Sequence, residues 1–399
     1  MLFMSVNAGS SSLKWQIYDM PQEKQIAKGM IDRLGTKDAV FSATYNGQEH
    51  FKKTEAILTK EAAATLILTR LKNLKIVKRL EDIKGIGHRV VSGGEIFHES
   101  TLVDDQVLLK IENLAELAPL HNRVEAYFMN VFQKLLPEVP QVAVFDNSFF
   151  SHLSPANYLY PIDKKYYDNY GIRKYGAHGT SHRYVTQRAA ELLQKPQAQT
   201  NLITLHLGSG ASISAIKNGQ AIDTSMGFTP LAGIMMGTRS GDVDPSIIPY
   251  MMEKEQIKDV KEIIRVLNKE SGLLGVSGIS NDKRDIDDAA AAGDQRAQLA
   301  QQMFANRIVK YVGSYWALLG VQPDALVFTA GIGENDALVR ADVCHALRHL
   351  GVQLDEQANQ VRGQERLISQ PDSAVKVYII PTNEELMIAR DTYQLTQKH

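Results

Sequence analysis

Two short segments concentrate small and hydroxyl-bearing residues where an anion could sit. Asn7-Ala8-Gly9-Ser10-Ser11-Ser12-Leu13-Lys14 follows the apolar run 2–6, and His206-Leu207-Gly208-Ser209-Gly210-Ala211-Ser212 follows the run 202–205. Asn7 and His206 stand at corresponding places, as do Gly9 with Gly208 and Ser10 with Ser209. Small residues let backbone approach a ligand closely, and a run of N–H and O–H donors suits phosphate oxygens. One such loop is weak evidence. Two, each opening a half of the chain, predict a duplicated nucleotide-binding architecture with phosphate held between the halves.

Other polar groups gather at predicted strand ends. Arg89 lies in Gly87-His88-Arg89-Val90-Val91-Ser92-Gly93-Gly94-Glu95, where glycines would admit a small anion; alternatively it is a surface arginine in a loop. Arg239 lies in a second glycine-flanked stretch, 237–245, and could instead pair with Asp242 or Asp244. Two arginines can grip a carboxylate and a phosphoryl group with planar forks, which lysine does less well. In Tyr175-Gly176-Ala177-His178-Gly179-Thr180-Ser181-His182 the histidines are four apart, the spacing of half a zinc site on a helix. Gly179 and Thr180 argue against a helix there. A loop histidine donating to a phosphoryl oxygen suits His178, and a structural hydrogen-bonding role suits His182. Asp146 could be a base, a metal-side carboxylate or a cap for the loop after it. Glu384 and Glu385 could reach a hydrated Mg²⁺, or simply favour the start of a helix.

The elements that must hold these residues alternate as in an α/β protein. Strands are expected at 142–145, 202–207, 325–329 and 375–380, and helices at 55–74 and 384–393, the latter closing the chain. The segment 330–335 should be a loop ahead of a further helix. Tyr45-Asn46-Gly47-Gln48 and Lys217-Asn218-Gly219-Gln220 read as hairpins, since Asn-Gly accepts positive φ at both central positions. With 399 residues the chain exceeds what one core usually serves, roughly 250–300, so two domains are expected, with a boundary near residue 150. A net charge of −1 gives no reason to expect nucleic acid or an anionic membrane as partner. The one cysteine, Cys344, excludes an intrachain disulfide, and the absence of a leader or long apolar run reads as a soluble cytoplasmic protein.

Taken in order, these segments resemble acetate kinase, of the acetate and sugar kinase/heat-shock/actin superfamily, over essentially the full chain. The resemblance rests on the first loop, His88-Arg89-Val90-Val91, Ala118-Pro119-Leu120-His121-Asn122 and 175–182. It continues through Asp223-Thr224-Ser225-Met226-Gly227-Phe228-Thr229-Pro230, Met236-Gly237-Thr238-Arg239-Ser240-Gly241-Asp242, 331–335 and Thr382-Asn383-Glu384-Glu385. It implies a duplicated actin-like (ribonuclease H-like) two-domain fold with an active-site cleft between the domains. The domains would be 1–150, completed by the C-terminal helix 385–399, and 151–384. The implied reaction is reversible, Mg²⁺-dependent phosphoryl transfer between ATP and acetate, giving ADP and acetyl phosphate, with Mn²⁺ able to replace Mg²⁺. A homodimer is implied as well.

By the same resemblance Asn7 and Glu384 are metal-side residues, and Asp146, His178 and Arg239 are catalytic. Arg89 would hold the acid carboxylate, and Val91, Leu120, Ala177 and Pro230 its methyl group. Nucleotide contacts would come from Lys14, from His206, Leu207, Gly208, Ser209 and Gly210, from Asp282, Lys283 and Arg284, and from Gly331, Ile332, Gly333, Glu334 and Asn335. Acetate is already ionised at neutral pH, so Asp146 should orient an arginine or Mg²⁺-bound water rather than remove a proton. The chain departs from the family pattern at Ser92 (for His), Ala177 (for Phe), Ser209 (for Asn) and Asn147-Ser148-Phe149-Phe150 (for Thr-Ala-Phe-His). Ala177 puts the size of the acyl pocket in question and leaves a propionate or short-chain fatty acid kinase as the alternative. An actin-like ATPase switch would use the same loops but has no use for Arg89 and Arg239. A P-loop kinase is disfavoured because G-x-x-x-x-G-K-[ST] does not occur.

Overall fold

The computed structural model describes residues 1–116 and 121–397. They form two compact units: Met1–Ser151 with Asn383–His399, and His152–Thr382. In the first, β1 (Leu2–Ala8), β2 (Ser12–Asp19), β3 (Lys24–Asp32), β4 (Thr36–Tyr45), β5 (Glu49–Ile57), β6 (Ile83–Val90), β7 (Thr101–Leu102) and β8 (Gln141–Phe145) make one sheet. Its order is β5-β4-β3-β2-β1-β6-β8-β7. In the second, β9 (Leu202–Leu207), β10 (Ala211–Lys217), β11 (Gln220–Thr224), β12 (Ala325–Thr329), β13 (Arg366–Leu367) and β14 (Lys376–Ile379) run β11-β10-β9-β12-β14-β13.

The segments β3-β2-β1-β6-β8 and β11-β10-β9-β12-β14 share one topology. Each is an antiparallel meander extended, beyond its first strand, by two successive parallel strands. This is the duplicated α/β arrangement of the actin-like fold, and it explains why the two loops correspond. Asn7 pairs with Lys14 across β1 and β2, and His206 pairs with Ser212 across β9 and β10. Strands β8, β9 and β12 are buried along their whole length. Covered on both faces, such strands read as continuous apolar runs rather than alternating ones. Among the described residues no helix is long and apolar enough to cross a membrane.

Local chemistry sets the connections. Asn218 (φ 51°) and Gly219 (φ 73°) close a two-residue hairpin between β10 and β11, as the Asn-Gly pair predicts. Pairing of Tyr45 with Glu49 leaves a three-residue loop in the other hairpin. The helix expected from residue 55 begins only at Lys60: β5 keeps its pairing with β4 through Ile57, and Thr59 Oγ1 then accepts the Ala62 N–H at 3.1 Å. The expected loop at 330–335 is a helix, Ala330–Asn335, entered through Ala330 at φ 64°.

The C-terminal helix Glu384–Thr396 packs on β1, β6 and β8. Asn383 caps it, its Oδ1 accepting from Leu386 N–H at 3.1 Å and from the Tyr18 hydroxyl at 3.0 Å. Close packing depends on the bare backbone of β6. A Cβ on Gly87 would stand 2.2 Å from Thr392 Oγ1 and 2.4 Å from Ile388 Cγ2. Gly87→Ala should therefore destabilise the protein by roughly 1–3 kcal/mol, the usual range for overpacking. Urea unfolding is the measurement, and an unchanged midpoint would show that the helix can retreat without loss.

Candidate active site

In the first unit the parallel strands β1, β6 and β8 end on one edge of the sheet, the edge where open α/β sheets bind ligands. Asn7 lies near the end of β1, Arg89 at the end of β6 and Asp146 just past β8. Asp146 is 2% exposed, and its Oδ2 accepts from Arg89 Nε at 3.0 Å and Nη2 at 2.5 Å. Arg89 Nη1 turns to Asn7 Oδ1 at 3.4 Å. Arg89 is thus no loose surface group. Burial alone would lower its pKa, but the Asp146 and Glu384 carboxylates hold it above the usual arginine range.

Glu384 opens the C-terminal helix and is half-buried. Burial pushes its carboxyl up to about 7; Arg89 opposes the rise, and the Asp146 and Glu385 carboxylates add to it. A divalent cation would relieve that crowding, and Asn7 Oδ1 with the Glu384 carboxylate offers the hard oxygen donors that Mg²⁺ takes. Among the described residues no three His, Cys, Asp or Glu side chains form a metal cage. Lys14 faces Asn7 across the strand pair and is exposed. Val91 lies two residues past Arg89, just beyond β6, whereas Leu120 lies outside the described residues.

In the second unit His178 (φ 59°) sits immediately before the helix Gly179–Leu192. That helix forms in spite of Gly179 and Thr180. His182, inside it, is fully buried, with Nδ1 2.7 Å from Thr204 Oγ1 and Nε2 2.8 Å from Ser212 Oγ. Hydroxyls take both ring nitrogens of His182, which leaves neither of them to a metal. The His178 and His206 rings stack with centroids 4.1 Å apart.

Arg239 does not pair with Asp242. That carboxylate accepts from the Gly233 N–H at 2.8 Å and from the Tyr311 hydroxyl. The Arg239 guanidinium donates to Pro230 O at 3.3 Å and contacts Met236 Sδ at 3.7 Å, and burial lowers its pKa. Among the described residues it makes no ion pair. A Cβ on Gly210 would lie 3.5 Å from Arg239 Nη1 and 3.6 Å from His178 Nε2, so both donors converge on the glycine loop. A half-buried cation lacking a carboxylate among the described residues, with an imidazole nitrogen beside it, is an arrangement that suits an anion. Ala177 is half-buried next to His178, and Pro230 is exposed.

Beside that loop lies a cavity of about 900 Å³ lined by Gly208, Ser209, Asp282, Lys283, Arg284, Gly331, Ile332 and Asn335. Its size suits a nucleotide-sized ligand. Of the other expected contacts, Leu207 is core, and Gly333 O accepts from the wholly buried Arg340 Nη1 at 2.9 Å. Glu334 Oε1 accepts the Thr382 N–H at 3.1 Å. Lys283 is 4% exposed and paired with Asp287 and Asp336, so its charge is already spent inside the protein. Sequence reading missed Asn281, Leu338, Gln360 and Arg362 on the wall. No motif marks them. It also missed Arg340, which ties Gly333 to Asn359 and Val361 through backbone carbonyls.

Glu125 was missed too. It is 2% exposed on the helix Asn122–Leu135, and its Oε2 accepts the Val91 N–H at 3.1 Å. Burial pushes its carboxyl up to about 8, with Arg89 and the Val91 N–H opposing and Asp146 adding to the rise. Ionisation is thus easier in the unfolded chain. Its contribution to stability is present below the ordinary carboxyl range and is lost as pH rises towards about 8. Glu125→Gln cannot ionise, so it should gain stability relative to the wild type steadily from pH 5 to 8. Urea midpoints across that range test this, and a constant difference would mean that Glu125 titrates normally.

Residues 2–390 match the Acetokinase family. The chain is 58% identical over 393 residues to acetate kinase 1 of Latilactobacillus sakei, covering 98% of this chain and 99% of that one. It is 54% identical over 397 residues to acetate kinase 2 of Listeria monocytogenes, covering 99% of each. Among solved structures, Porphyromonas gingivalis acetate kinase superposes with TM-score 0.94 at 42% identity over 99% of both chains. A propionate kinase from Francisella tularensis gives 0.91 at 39% identity, over 98% of this chain and 99% of that one. With the family matched along nearly the whole chain, on a duplicated two-unit actin-like fold, the chain belongs to the acetokinase family.

Proposed function

We propose that this protein transfers the γ-phosphoryl group of ATP to acetate, reversibly and in line, giving ADP and acetyl phosphate. The observation that carries the reading is the convergence of Arg239 Nη1 and His178 Nε2 beside Gly210, with no carboxylate on the arginine among the described residues. An acetate oxygen forms the new P–O bond while the bond to the bridging oxygen of ADP breaks. Charge then spreads over three equatorial oxygens, so positioned donors matter more than covalent help. Arg239 and His178 would meet that charge, and Arg89 would orient the carboxylate. Both reactants are anions, so these cations also offset their repulsion. Asp146, committed to Arg89 through two hydrogen bonds, acts in this reading as an orienter and not as a base.

Asn7 and Glu384 would hold Mg²⁺, or Mn²⁺ in its place, which when bound neutralises nucleotide phosphate oxygens. The cavity beside Gly208 would take ATP or ADP. Val91, Leu120, Ala177 and Pro230 would enclose the methyl group of the acid. A homodimer and a cytoplasmic location belong to the same reading and are supported by the family alone.

Arg239→Ala should lower kcat by on the order of 10²–10³, the usual loss for one transition-state donor. Arg89→Ala should mainly raise KM for the acid, and Lys should rescue either only in part, since the planar fork is lost. Steady-state kinetics decide, and an Arg239→Ala enzyme within about threefold of wild type excludes the assignment.

Small Ala177 favours a second reading, in which propionate is used nearly as well as acetate. Hydroxamate trapping of acyl phosphate from ATP, Mg²⁺ and acetate, propionate or butyrate tests both readings. Ala177→Phe should shift the propionate-to-acetate ratio of kcat/KM towards acetate by about 10–200-fold, the worth of one methylene in an apolar pocket. Without acyl phosphate from any acid, the kinase reading fails. An unmoved ratio would remove Ala177 from the pocket.

A further inference from the structure

Behind His178, in the second unit, three buried side chains stand in line. His178 Nδ1 is 2.9 Å from Ser212 Oγ, Ser212 Oγ is 2.8 Å from His182 Nε2, and His182 Nδ1 is 2.7 Å from Thr204 Oγ1. Ser212, His182 and Thr204 are all 0% exposed. A neutral imidazole has one N–H and one lone pair, and a hydroxyl has one proton to give, so each link has a direction.

The far end sets that direction. The one side-chain hydrogen bond of Thr204 among the described residues is to His182 Nδ1. Were Thr204 the acceptor there, its own proton would be stranded in the core, which costs about 1–3 kcal/mol. Thr204 therefore donates. His182 is neutral, because burial, reinforced by His206, holds it well below the ordinary imidazole value. Its proton then sits on Nε2 and goes to Ser212. Ser212, accepting from His182, gives its proton to His178 Nδ1. That leaves the His178 proton on Nε2, the nitrogen beside Gly210 and Arg239 Nη1.

We infer that Thr204, His182 and Ser212 are positioning residues that lock His178 in its Nε2–H tautomer, making it a standing donor to the transferred phosphoryl group without prior protonation. The use made of the relay rests on the proposed role of His178; the tautomer itself does not. A histidine that needed an extra proton would lose its donor as pH rises through the neutral range. One wired to a buried hydroxyl keeps it.

Long-range ¹H–¹⁵N spectra of the ¹⁵N-histidine-labelled protein read the tautomer directly. His178 is expected as Nε2–H at neutral pH in the wild type. Ser212→Ala should give a mixed or titrating His178 and lower kcat by about tenfold, less than the roughly 10²–10⁴ lost with an acid–base group itself, because Ser212 acts only through His178. KM for ATP should stay within about threefold, because the loss falls on the transition state. Ser212→Thr, which keeps the hydroxyl, should restore both the spectrum and most of the rate. A wild-type His178 found as Nδ1–H or as imidazolium overturns the relay, whatever the variants do. So does a Ser212→Ala enzyme with unchanged spectrum and kcat. An active His178→Ala enzyme with the wild-type tautomer intact would overturn instead the role of His178, and with it the purpose of the relay.

Discussion

Moving a phosphoryl group between two anions requires cations that the folded chain has not already neutralised. Folding works against this, since a half-buried charge without a partner loses hydration and gains nothing in return. Arg239 nonetheless keeps its guanidinium on a carbonyl and a thioether while Asp242, three residues on, is committed to the Gly233 N–H and the Tyr311 hydroxyl. The surrounding loop holds Asp242 away so that the arginine remains available. Lys283 shows the opposite outcome: two carboxylates claim it, and it serves the fold.

In the first unit the balance is struck differently. Arg89 shares one carboxylate, Asp146, and feels Glu384 and Glu125 nearby. Burial is what pushes Glu125 and Glu384 upward, with the Asp146 carboxylate adding to each rise and Arg89 opposing it, while Arg89 stays charged. Such a cluster is stable only because the strands and the C-terminal helix hold it. Gly87 allows that helix to lie against β6, and the helix brings Glu384 to the cluster. A packing constraint in the sheet thereby becomes an electrostatic property of the site.

Backbone conformation carries part of the same burden. His178 and Ala330 both sit at positive φ, where side chains other than glycine are disfavoured, and both open helices at the second unit's site. Such strain persists only where surrounding contacts over-determine it. For His178 these contacts include the hydroxyl of Ser212 and the stacked ring of His206.

Much of this was legible in the residues themselves. The paired glycine loops, the Asn-Gly hairpins and the continuous apolar strands depend on local backbone chemistry and on burial of both sheet faces, which leave direct marks in composition and period. The segment order alone carried the resemblance to acetate kinases. What stayed hidden depends on partners distant in sequence. Strand pairing with β4 kept 55–57 out of the helix expected there, and tertiary contacts made a helix of 330–335. Nothing near Lys283 in the expected motif announces that its charge is paired with Asp336, nor does the sequence around Glu125 announce a carboxyl that burial pushes up to about 8. The residue types and their order determined the fold class and most of the chemical inventory. Only the tertiary structure decided which charges are spent, which remain available and which way the protons of the histidines point, because those are set by neighbours brought together through folding and not by spacing along the chain.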